Sequence, residues 1–166
     1  MNAVVASGAS AAEHAAGFDT AWIDFTKGLG APIGACLAGS RESIDEAWRY
    51  KQMMGGALRQ AGIAAAAGLY ALDHHVDRLA EDHENARALA EGLAEIDGVR
   101  IDPSGVETNI VIFGVDDAPR VVEVLADRGV EMTVFGAGRV RAVTHLDVDR
   151  AGVERALEAC RAVIDC

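Results

Sequence analysis

Apolar and polar positions in the first half of the chain follow both helical and strand-like spacing. The stretch from Thr20 mixes Trp22, Ile23 and Phe25 with threonines, which is typical of a buried strand, and we expect this strand to end at Lys27. A second strand is predicted over 33–38. The remaining pattern in this half predicts helices over 2–7, 11–16, 41–52, 57–72 and 76–96.

Two features of this half refine the prediction. Ser10 and Ser40 stand directly before helical patterns and are expected to cap the two helices that follow them. The helix over 57–72 is rich in alanine and glycine, residues that let a neighbouring element approach closely. We therefore expect this helix to be buried.

After Gly98 the pattern changes to short strands and helices. Alternation along the last strand places Arg139, Arg141 and Val143 on one face. The order of elements predicts an α/β unit in which helices pack on one face of a small, mostly antiparallel sheet. The elements are strands over 99–102, 108–115, 131–135 and 139–144 and helices over 118–128 and 149–164.

Composition limits the classes of function. The chain has 166 residues, of which 51% are hydrophobic, which is enough for a sizeable core. Its formal net charge of -11 repels phosphate backbones, so no nucleic-acid partner is expected. The longest apolar run without charges, 61–72, is too short to cross a bilayer, so no membrane segment is expected.

The cysteines and histidines predict neither a disulfide framework nor a metal site. Cys36, Cys160 and Cys166 are odd in number and have no paired spacing, which favours the reducing cytoplasm. His74, His75 and His83 lack the spacing and the third ligand of a zinc site, so no metal is expected. The first residues also lack the basic start of a signal peptide.

Lys27 is the candidate for covalent chemistry. It ends an apolar strand and precedes Gly28, Gly30 and Gly34, which exclude a helix and let backbone approach a ligand. A lysine amine partly withdrawn from water can attack a carbonyl carbon and form a Schiff base. The alternative is a solvated turn without function. Phosphate-loop interpretations fit less well, because the lysine precedes the glycines and no helix follows them directly.

Four segments in order resemble the low-specificity L-threonine aldolases, which are pyridoxal-phosphate enzymes of the aspartate-aminotransferase fold. The resemblance begins with Thr-Lys-Gly-Leu-Gly-Ala-Pro-Ile-Gly over 26–34 and extends over nearly the whole chain. The later segments are Gly-Gly-Ala-Leu-Arg-Gln-Ala-Gly over 55–62, Leu-Ala-Glu-Asp-His over 79–83 and Val-Arg-Ala-Val-Thr-His-Leu-Asp-Val over 140–148.

The resemblance implies the C-terminal part of this fold, a partial large domain followed by a small α/β domain. On this basis, 1–56 is the end of the cofactor-binding domain, 57–97 forms connecting helices, and 98–166 is the small domain. The family's phosphate loop, its ring-stacking histidine and its aspartate for the pyridine nitrogen would precede the first residue. Met1 therefore resembles an internal methionine, and we expect the isolated chain to bind the cofactor weakly and to turn over little.

The resemblance also implies the roles of three residues. Lys27 would carry pyridoxal phosphate, and Arg141 would hold the substrate carboxylate with its planar guanidinium. By its own position, Arg141 is an arginine in an apolar strand, for which an edge residue without function is the alternative. Arg59 is expected at a helix start near the cofactor or a subunit interface, although a structural ion pair fits as well. Gln52 stands where the family usually has a second lysine, so no role is assigned to it.

The implied reaction cleaves L-threonine or a related 3-hydroxy amino acid to glycine and an aldehyde in a cytoplasmic homo-oligomer, a dimer or tetramer. Arg141 would orient the carboxylate so that the Cα–Cβ bond lies perpendicular to the cofactor ring. One alternative is a pyridoxal-phosphate lyase for aromatic 3-hydroxy amino acids such as phenylserine. Another alternative is a fragment that keeps the scaffold without chemistry.

Overall fold

The computed structural model describes residues 1–164; Asp165 and Cys166 lie outside the described residues. The chain divides into two compact units, Met1–Arg78 and Leu79–Cys166. Each unit has its own helices and its own antiparallel sheet, and the two are described separately. The three-part division predicted from the sequence stays a prediction.

The first unit contains a two-stranded antiparallel sheet and four helices. The pairing register joins Trp22 to Leu37 and Asp24 to Ala35. The elements are helices α1 (Asn2–Ser7), α2 (Ala11–Ala15), α3 (Arg41–Met53) and α4 (Gly62–His74) and strands β1 (Thr20–Asp24) and β2 (Ala35–Gly39).

Both predicted serine caps of the first unit are confirmed. Ser10 accepts the backbone N–H of Glu13, whose carboxylate in turn accepts the backbone N–H of Ser10, a reciprocal capping box. Ser40 accepts the backbone N–H of Ser43 at the start of α3. Gly8 ends α1 with φ of 71°, a left-handed conformation that glycine adopts at little cost.

The lysine strand is shorter and less buried than predicted. It ends at Asp24, because one Asp24 carboxylate oxygen accepts both the N–H and the hydroxyl of Thr26 and turns the chain before Lys27. Trp22 is 65% exposed and Leu37 on the partner strand is 43% exposed. Among the described residues the sheet has only these two strands, and no further strand or helix covers its full width. Trp22 and Leu37 therefore remain in contact with solvent.

The alanine-rich helix also differs from its prediction. It begins at Gly62 instead of residue 57, and only Gly68 and Ala71 are buried within it. The residues after Gly55 offer no Ser, Thr, Asp or Asn side chain that caps a helix, and Ala61 at the observed start makes no side-chain cap. The start is therefore not encoded locally, and the small side chains of α4 are mostly exposed.

Among its described residues, the second unit has three α-helices on one face of a three-stranded antiparallel sheet, whose strand order is β3 (Ile110–Gly114), β5 (Arg139–Val143), β4 (Thr133–Val134). A 3-10 helix, Pro103–Gly105, precedes the sheet. The elements are α5 (Leu79–Ala94), β3 (Ile110–Gly114), α6 (Ala118–Ala126), β4 (Thr133–Val134), β5 (Arg139–Val143) and α7 (Arg150–Ile164). The predicted one-sided α/β arrangement is confirmed.

The core of this unit lies between the sheet and its helices. Val111 and Phe113 of β3 and Val140 of β5 are at most 1% exposed. Leu93 of α5 and Leu125 of α6 are fully buried in the same cluster. Burial of side chains of this size stabilises a fold by about 1.5–3 kcal/mol each. The opposite sheet face carries Arg139, Arg141 and Val143, as the alternation predicts.

Two predicted strands of the second unit are largely absent from the described chain. The stretch 99–102 makes one isolated bridge, between Arg100 and Gly114. Asp102 then accepts the N–H of Ser104 and directs the chain into the 3-10 helix, where Pro103 has no N–H for a sheet ladder. The predicted strand over 131–135 is reduced to Thr133–Val134.

Among the described residues, no helix combines the length and the apolar character needed to cross a membrane.

Candidate functional site

Lys27 lies on the turn that joins β1 to β2, and its side chain is exposed instead of partly withdrawn from water as predicted from the sequence. Backbone hydrogen bonds fix this turn on both sides of the lysine. Phe25 donates to the carbonyl of Gly34 at 3.0 Å, and its own carbonyl accepts from Ala31 at 2.8 Å. Gly30 donates to the carbonyl of Lys27 at 2.9 Å. These three hydrogen bonds restrain the backbone of the turn from which the primary amine of Lys27 extends.

Glycine is required at two places in this turn. Gly30 has φ of 68° and Gly34 has φ of 120°, conformations that side chains with a Cβ rarely adopt. A Cβ at Gly34 would also lie 3.6 Å from the Phe25 ring, which is ordinary van der Waals contact. At Gly34 the backbone angle, and not the available space, therefore explains the glycine.

The turn is attached to helix α4 by two contacts that the sequence does not predict. The Phe25 ring lies against Gly68, where an added Cβ would come within 3.4 Å of the ring. His75, at the C-terminal cap of α4, approaches the backbone carbonyl of Leu29 with its Nδ1 at 2.6 Å. Leu29 itself is only 2% exposed. The pairs are 43 and 46 residues apart, so no local sequence signal predicts either contact.

Asp24 is the carboxylate at the base of the turn. Its hydrogen bonds with the hydroxyl and the N–H of Thr26 lower the pKa of this carboxyl, and the charge of Lys27 contributes in the same direction. Asp24 therefore stays ionised at neutral pH. Its observed role is to start the turn on which Lys27 lies.

Arg59 is exposed and lies before α4, not inside its first turn as predicted. The helix starts three residues later, at Gly62. The guanidinium belongs to the same unit as Lys27. Its role as a cofactor or interface residue stays a prediction.

Arg141 lies in the middle strand of the sheet of the second unit, where it is paired with Ile112 and with Thr133. Its side chain is half-buried. The Nε atom of Arg141 is buried and has no hydrogen-bond partner among the described residues. Buried guanidinium N–H groups usually have an acceptor, so this donor fits an anionic ligand such as a carboxylate.

The strand that carries Arg141 is held by a buried polar network at its end. Thr144 is 2% exposed and donates its hydroxyl to the backbone carbonyl of Asp82 at 2.6 Å. The side-chain amide of Asn109 donates to the backbone carbonyl of Thr144 at 3.0 Å. The backbone carbonyl of Asn109 accepts the backbone N–H of Thr144, also at 3.0 Å. The network joins two of the motif segments, 79–83 and 140–148.

His145 and Asp147 contact each other at the surface just after β5. The Asp147 N–H lies 3.3 Å from His145 Nδ1, and the two side chains approach within 3.7 Å at the surface. An open cavity of about 310 Å³ lies beside them, with Ala142 and Gly152 in its lining. Arg141 does not line this cavity, so the cavity is separate from the candidate carboxylate group.

The structure thus places the three predicted site residues in two parts. Lys27 and Arg59 belong to the first unit and Arg141 belongs to the second. An exposed amine on a fixed glycine turn fits the covalent attachment of pyridoxal phosphate, which needs one accessible lysine. The Nε of Arg141, which has no hydrogen-bond partner among the described residues, fits a substrate that carries a carboxylate.

Comparison with known proteins agrees with these features. The model of the family described as beta-eliminating lyase matches residues 1–118. The low specificity L-threonine aldolase of Escherichia coli O157:H7 is 42% identical over 150 residues, which cover 90% of this chain and 44% of that protein. Low-specificity L-threonine aldolase 1 of Arabidopsis thaliana is 32% identical and covers 95% of this chain and 45% of its own length.

Solved structures show the same fold. A crystal structure from Exiguobacterium sp. 255-15, provisionally assigned as an aromatic amino acid beta-eliminating lyase or threonine aldolase, superposes with a TM-score of 0.77 at 24% identity. The match covers 98% of this chain and 49% of that one. The fold is therefore part of the aspartate-aminotransferase-like fold of pyridoxal-phosphate enzymes, as predicted. The chain spans about half the length of the relatives it matches.

Proposed function

The chain belongs to the beta-eliminating lyase family, and from that premise we propose that it carries the cofactor lysine of an aldolase that depends on pyridoxal phosphate. The proposed reaction cleaves L-threonine or a related 3-hydroxy amino acid to glycine and an aldehyde. The relatives from Escherichia coli and Arabidopsis thaliana carry the name of this activity. The observation that supports the proposal most directly is the exposed amine of Lys27 on its hydrogen-bonded turn.

Lys27 would hold the cofactor through a covalent bond from its amine. When bound, pyridoxal phosphate serves as the electron sink for the bond that breaks at Cα of the substrate. The protein's contribution is to fix the position of the amine. The paired backbone of residues 25, 27, 30, 31 and 34 limits the directions in which the Lys27 side chain extends.

Arg141 would bind the carboxylate of the amino acid substrate. A guanidinium offers two parallel N–H donors to a carboxylate, an arrangement that a lysine cannot reproduce. The unpaired Nε supports this role, because a carboxylate oxygen would supply the missing acceptor. Ile112, the cross-strand neighbour of Arg141, gives the guanidinium an apolar side, where a charged hydrogen bond is stronger than in water.

Arg59 would serve as an anion-binding group near the cofactor. Its exposed guanidinium is suited to a phosphate, for which arginine is a common ligand. A place at an interface between subunits would use the same exposed charge. Both roles predict that Arg59→Ala weakens cofactor retention less than Lys27→Ala does, because only the lysine forms a covalent bond.

The test of the proposal uses the fact that the chain has two lysines, Lys27 and Lys51. The purified chain is incubated with pyridoxal phosphate, reduced with borohydride, digested and analysed by mass spectrometry. We expect the reduced adduct on Lys27 and its loss in Lys27→Ala. Lys51→Ala is the matched control, since Lys51 is also exposed but lies on helix α3 with its amine 4.7 Å from the Trp48 ring.

The adduct experiment contradicts the proposal if labelling is equal on both lysines or is found at the N-terminal amine instead. Such a distribution is what random reaction of exposed amines with an aldehyde produces. An undiminished amount of adduct in Lys27→Ala also contradicts the proposal. These results favour the alternative of a scaffold fragment without chemistry.

Substrate choice is tested by the aldehyde that is released. Threonine gives acetaldehyde and phenylserine gives benzaldehyde, so a single coupled assay with both substrates separates the proposed activity from an aromatic one. For the isolated chain we expect little turnover with either substrate. Steady glycine and aldehyde production that Lys27→Ala abolishes would contradict this expectation while supporting the lysine assignment.

We further propose that the chain assembles with copies of itself in the cytoplasm, as a dimer or tetramer. Large apolar side chains of the first unit support assembly, because Met54 is 81% and Ile63 is 88% exposed. Both would be covered in an interface. The free thiol of Cys36 on the surface is compatible with a reducing compartment.

A further inference from the structure

We propose that His75 is a positioning residue for Lys27, because its ring fixes the backbone of the turn that presents the amine. This inference deepens the proposed function and depends on Lys27 being the cofactor lysine. His75 makes no contact with the lysine side chain that the structure records. It acts on the backbone carbonyl of Leu29, two residues after Lys27.

The contact is a strong hydrogen bond of defined polarity. Nδ1 of His75 lies 2.6 Å from the Leu29 carbonyl oxygen. A carbonyl oxygen only accepts, so Nδ1 must carry the hydrogen. Nδ1 keeps that hydrogen both in the corresponding neutral tautomer and in the protonated ring. The restraint therefore does not require a change in the charge of His75.

His75 is itself held by the helix it ends. Its N–H donates to the carbonyl of Ala71 at 2.9 Å, and it is the C-terminal cap of α4. The Tyr70 ring meets the His75 ring edge-on with centroids 5.5 Å apart. These contacts restrain both the backbone and the ring of His75. The hydrogen bond from His75 therefore ties the Leu29 carbonyl to the end of helix α4.

The turn needs an external restraint of this kind. Leu29 stands between Gly28 and Gly30, the residue type with the greatest backbone freedom. The hydrogen bond from the N–H of Gly30 to the carbonyl of Lys27 closes a turn that contains Leu29. A rotation of the backbone at Leu29 therefore shifts the carbonyl of Lys27. Burial of the Leu29 side chain holds the residue in place without fixing the direction of its peptide group. The hydrogen bond from His75 fixes that direction.

The adjacent His74 provides a matched control. It is exposed, lies on the same helix end and contacts the Tyr70 ring in a tilted arrangement with centroids 4.3 Å apart, but it is not the residue bonded to Leu29. Asparagine is the conservative replacement at position 75, because its side-chain N–H₂ lies as many bonds from Cα as Nδ1 of histidine. Leucine fills a comparable volume without a donor.

The first measurement is hydrogen exchange of the backbone amides in the full chain without cofactor. We expect His75→Leu to accelerate exchange at Gly30 and Ala31 about tenfold, the effect expected for loss of one hydrogen bond. Exchange in the second unit should not change. His75→Asn and His74→Leu should exchange like the native chain at both amides.

The second measurement is the spectroscopic titration of each variant with pyridoxal phosphate, read from the absorption band of the covalently bound cofactor. We expect His75→Leu to raise the apparent dissociation constant about tenfold, with native-like values for His75→Asn and His74→Leu. Equal effects of the leucine change at positions 74 and 75 would overturn the inference. So would native-like exchange at Gly30 and Ala31 in His75→Leu.

The two measurements separate failure of the inference from failure of the proposed function. If the native chain takes up no cofactor on Lys27, the proposed function fails, while hydrogen exchange still tests whether His75 restrains the turn. If His75→Leu does not fold, His75→Ala takes its place as the variant without a donor. Faster exchange limited to Gly30 and Ala31 in His75→Ala supports the inference, and native-like exchange at both amides overturns it.

Discussion

The hydroxyl of Thr144 donates a hydrogen bond of 2.6 Å to the backbone carbonyl of Asp82, across 62 residues of sequence. The bond connects the end of strand β5 to the first turn of helix α5. Arg141 lies on β5, three residues before Thr144, which directly follows that strand. The hydrogen bond therefore fixes the base of the strand that presents the proposed carboxylate ligand.

Thr144→Val is expected to lower the free energy of unfolding by about 1 kcal/mol, because it removes a buried hydrogen bond while keeping the side-chain shape. Chemical denaturation measures the change. Thr133→Val is the control, since Thr133 is exposed and its hydroxyl lies 3.4 Å from the carbonyl of Arg141. A loss of similar size at position 133 would show that the buried bond has no special contribution.

Arg141→Met is expected to raise the free energy of unfolding by about 1 kcal/mol, because it removes a buried N–H that lacks an acceptor among the described residues. The same change should abolish tight binding of an amino acid carboxylate. Arg139→Met is the comparison, as Arg139 is exposed on the same sheet face and lies over the Phe135 ring at 5.2 Å. Destabilisation by Arg141→Met would instead assign the guanidinium a structural role.

Stability should fall as the pH drops below about 6.5, the ordinary pKa of histidine. Burial lowers the pKa of His83, which is 9% exposed. The negative charge of Asp82 raises this pKa, and the positive charge of Arg87 lowers it. The unfolded chain then binds a proton that the folded chain binds only at lower pH, so protonation favours unfolding. The contribution of His83 is complete above about 6.5 and is lost as the pH falls through the lowered pKa.

Urea denaturation at several pH values measures this effect. His83→Gln should flatten the dependence of stability on pH in this range, because glutamine does not titrate. Thr133→Val should leave the dependence unchanged, because it removes no titratable group. An unchanged slope in His83→Gln would assign the acid sensitivity to other groups.

Cys160 should resist alkylation in the folded chain, whereas Cys36 should react. Cys160 is fully buried, and burial raises the pKa of its thiol to about 11, with Arg161 acting weakly in the other direction. Only the thiolate is nucleophilic, so few molecules are reactive near neutral pH. Peptide mass spectrometry after iodoacetamide treatment at increasing denaturant concentrations measures both sites. Equal labelling in native buffer would contradict the burial of Cys160.

The sequence predicted those elements whose signals are local. The serine caps at Ser10 and Ser40, the one-sided sheet of the second unit and the alternation around Arg141 all follow from neighbouring residues, and the structure agrees with each. Prediction was wrong where a tertiary or turn-forming contact competes with a local preference. Asp24 ends its strand early, and Asp102 with Pro103 replaces a strand by a 3-10 turn.

The supports of the candidate site were not predictable in this way. His75 and Leu29 are 46 residues apart, and Thr144 and Asp82 are 62 apart. Each pair combines a side chain with a backbone carbonyl, a type of group that every residue has. A single sequence carries no signal for such a pair, because any residue can supply the acceptor.

Trp22 and Trp48 are the two tryptophans of the chain, and both belong to the first unit. They are 65% and 50% exposed. The intrinsic fluorescence of the protein is therefore a signal of the lysine-bearing unit alone, with the long emission wavelength of indole in water. Any molecule that covers β1 or α3 would shift that emission to the blue without a label.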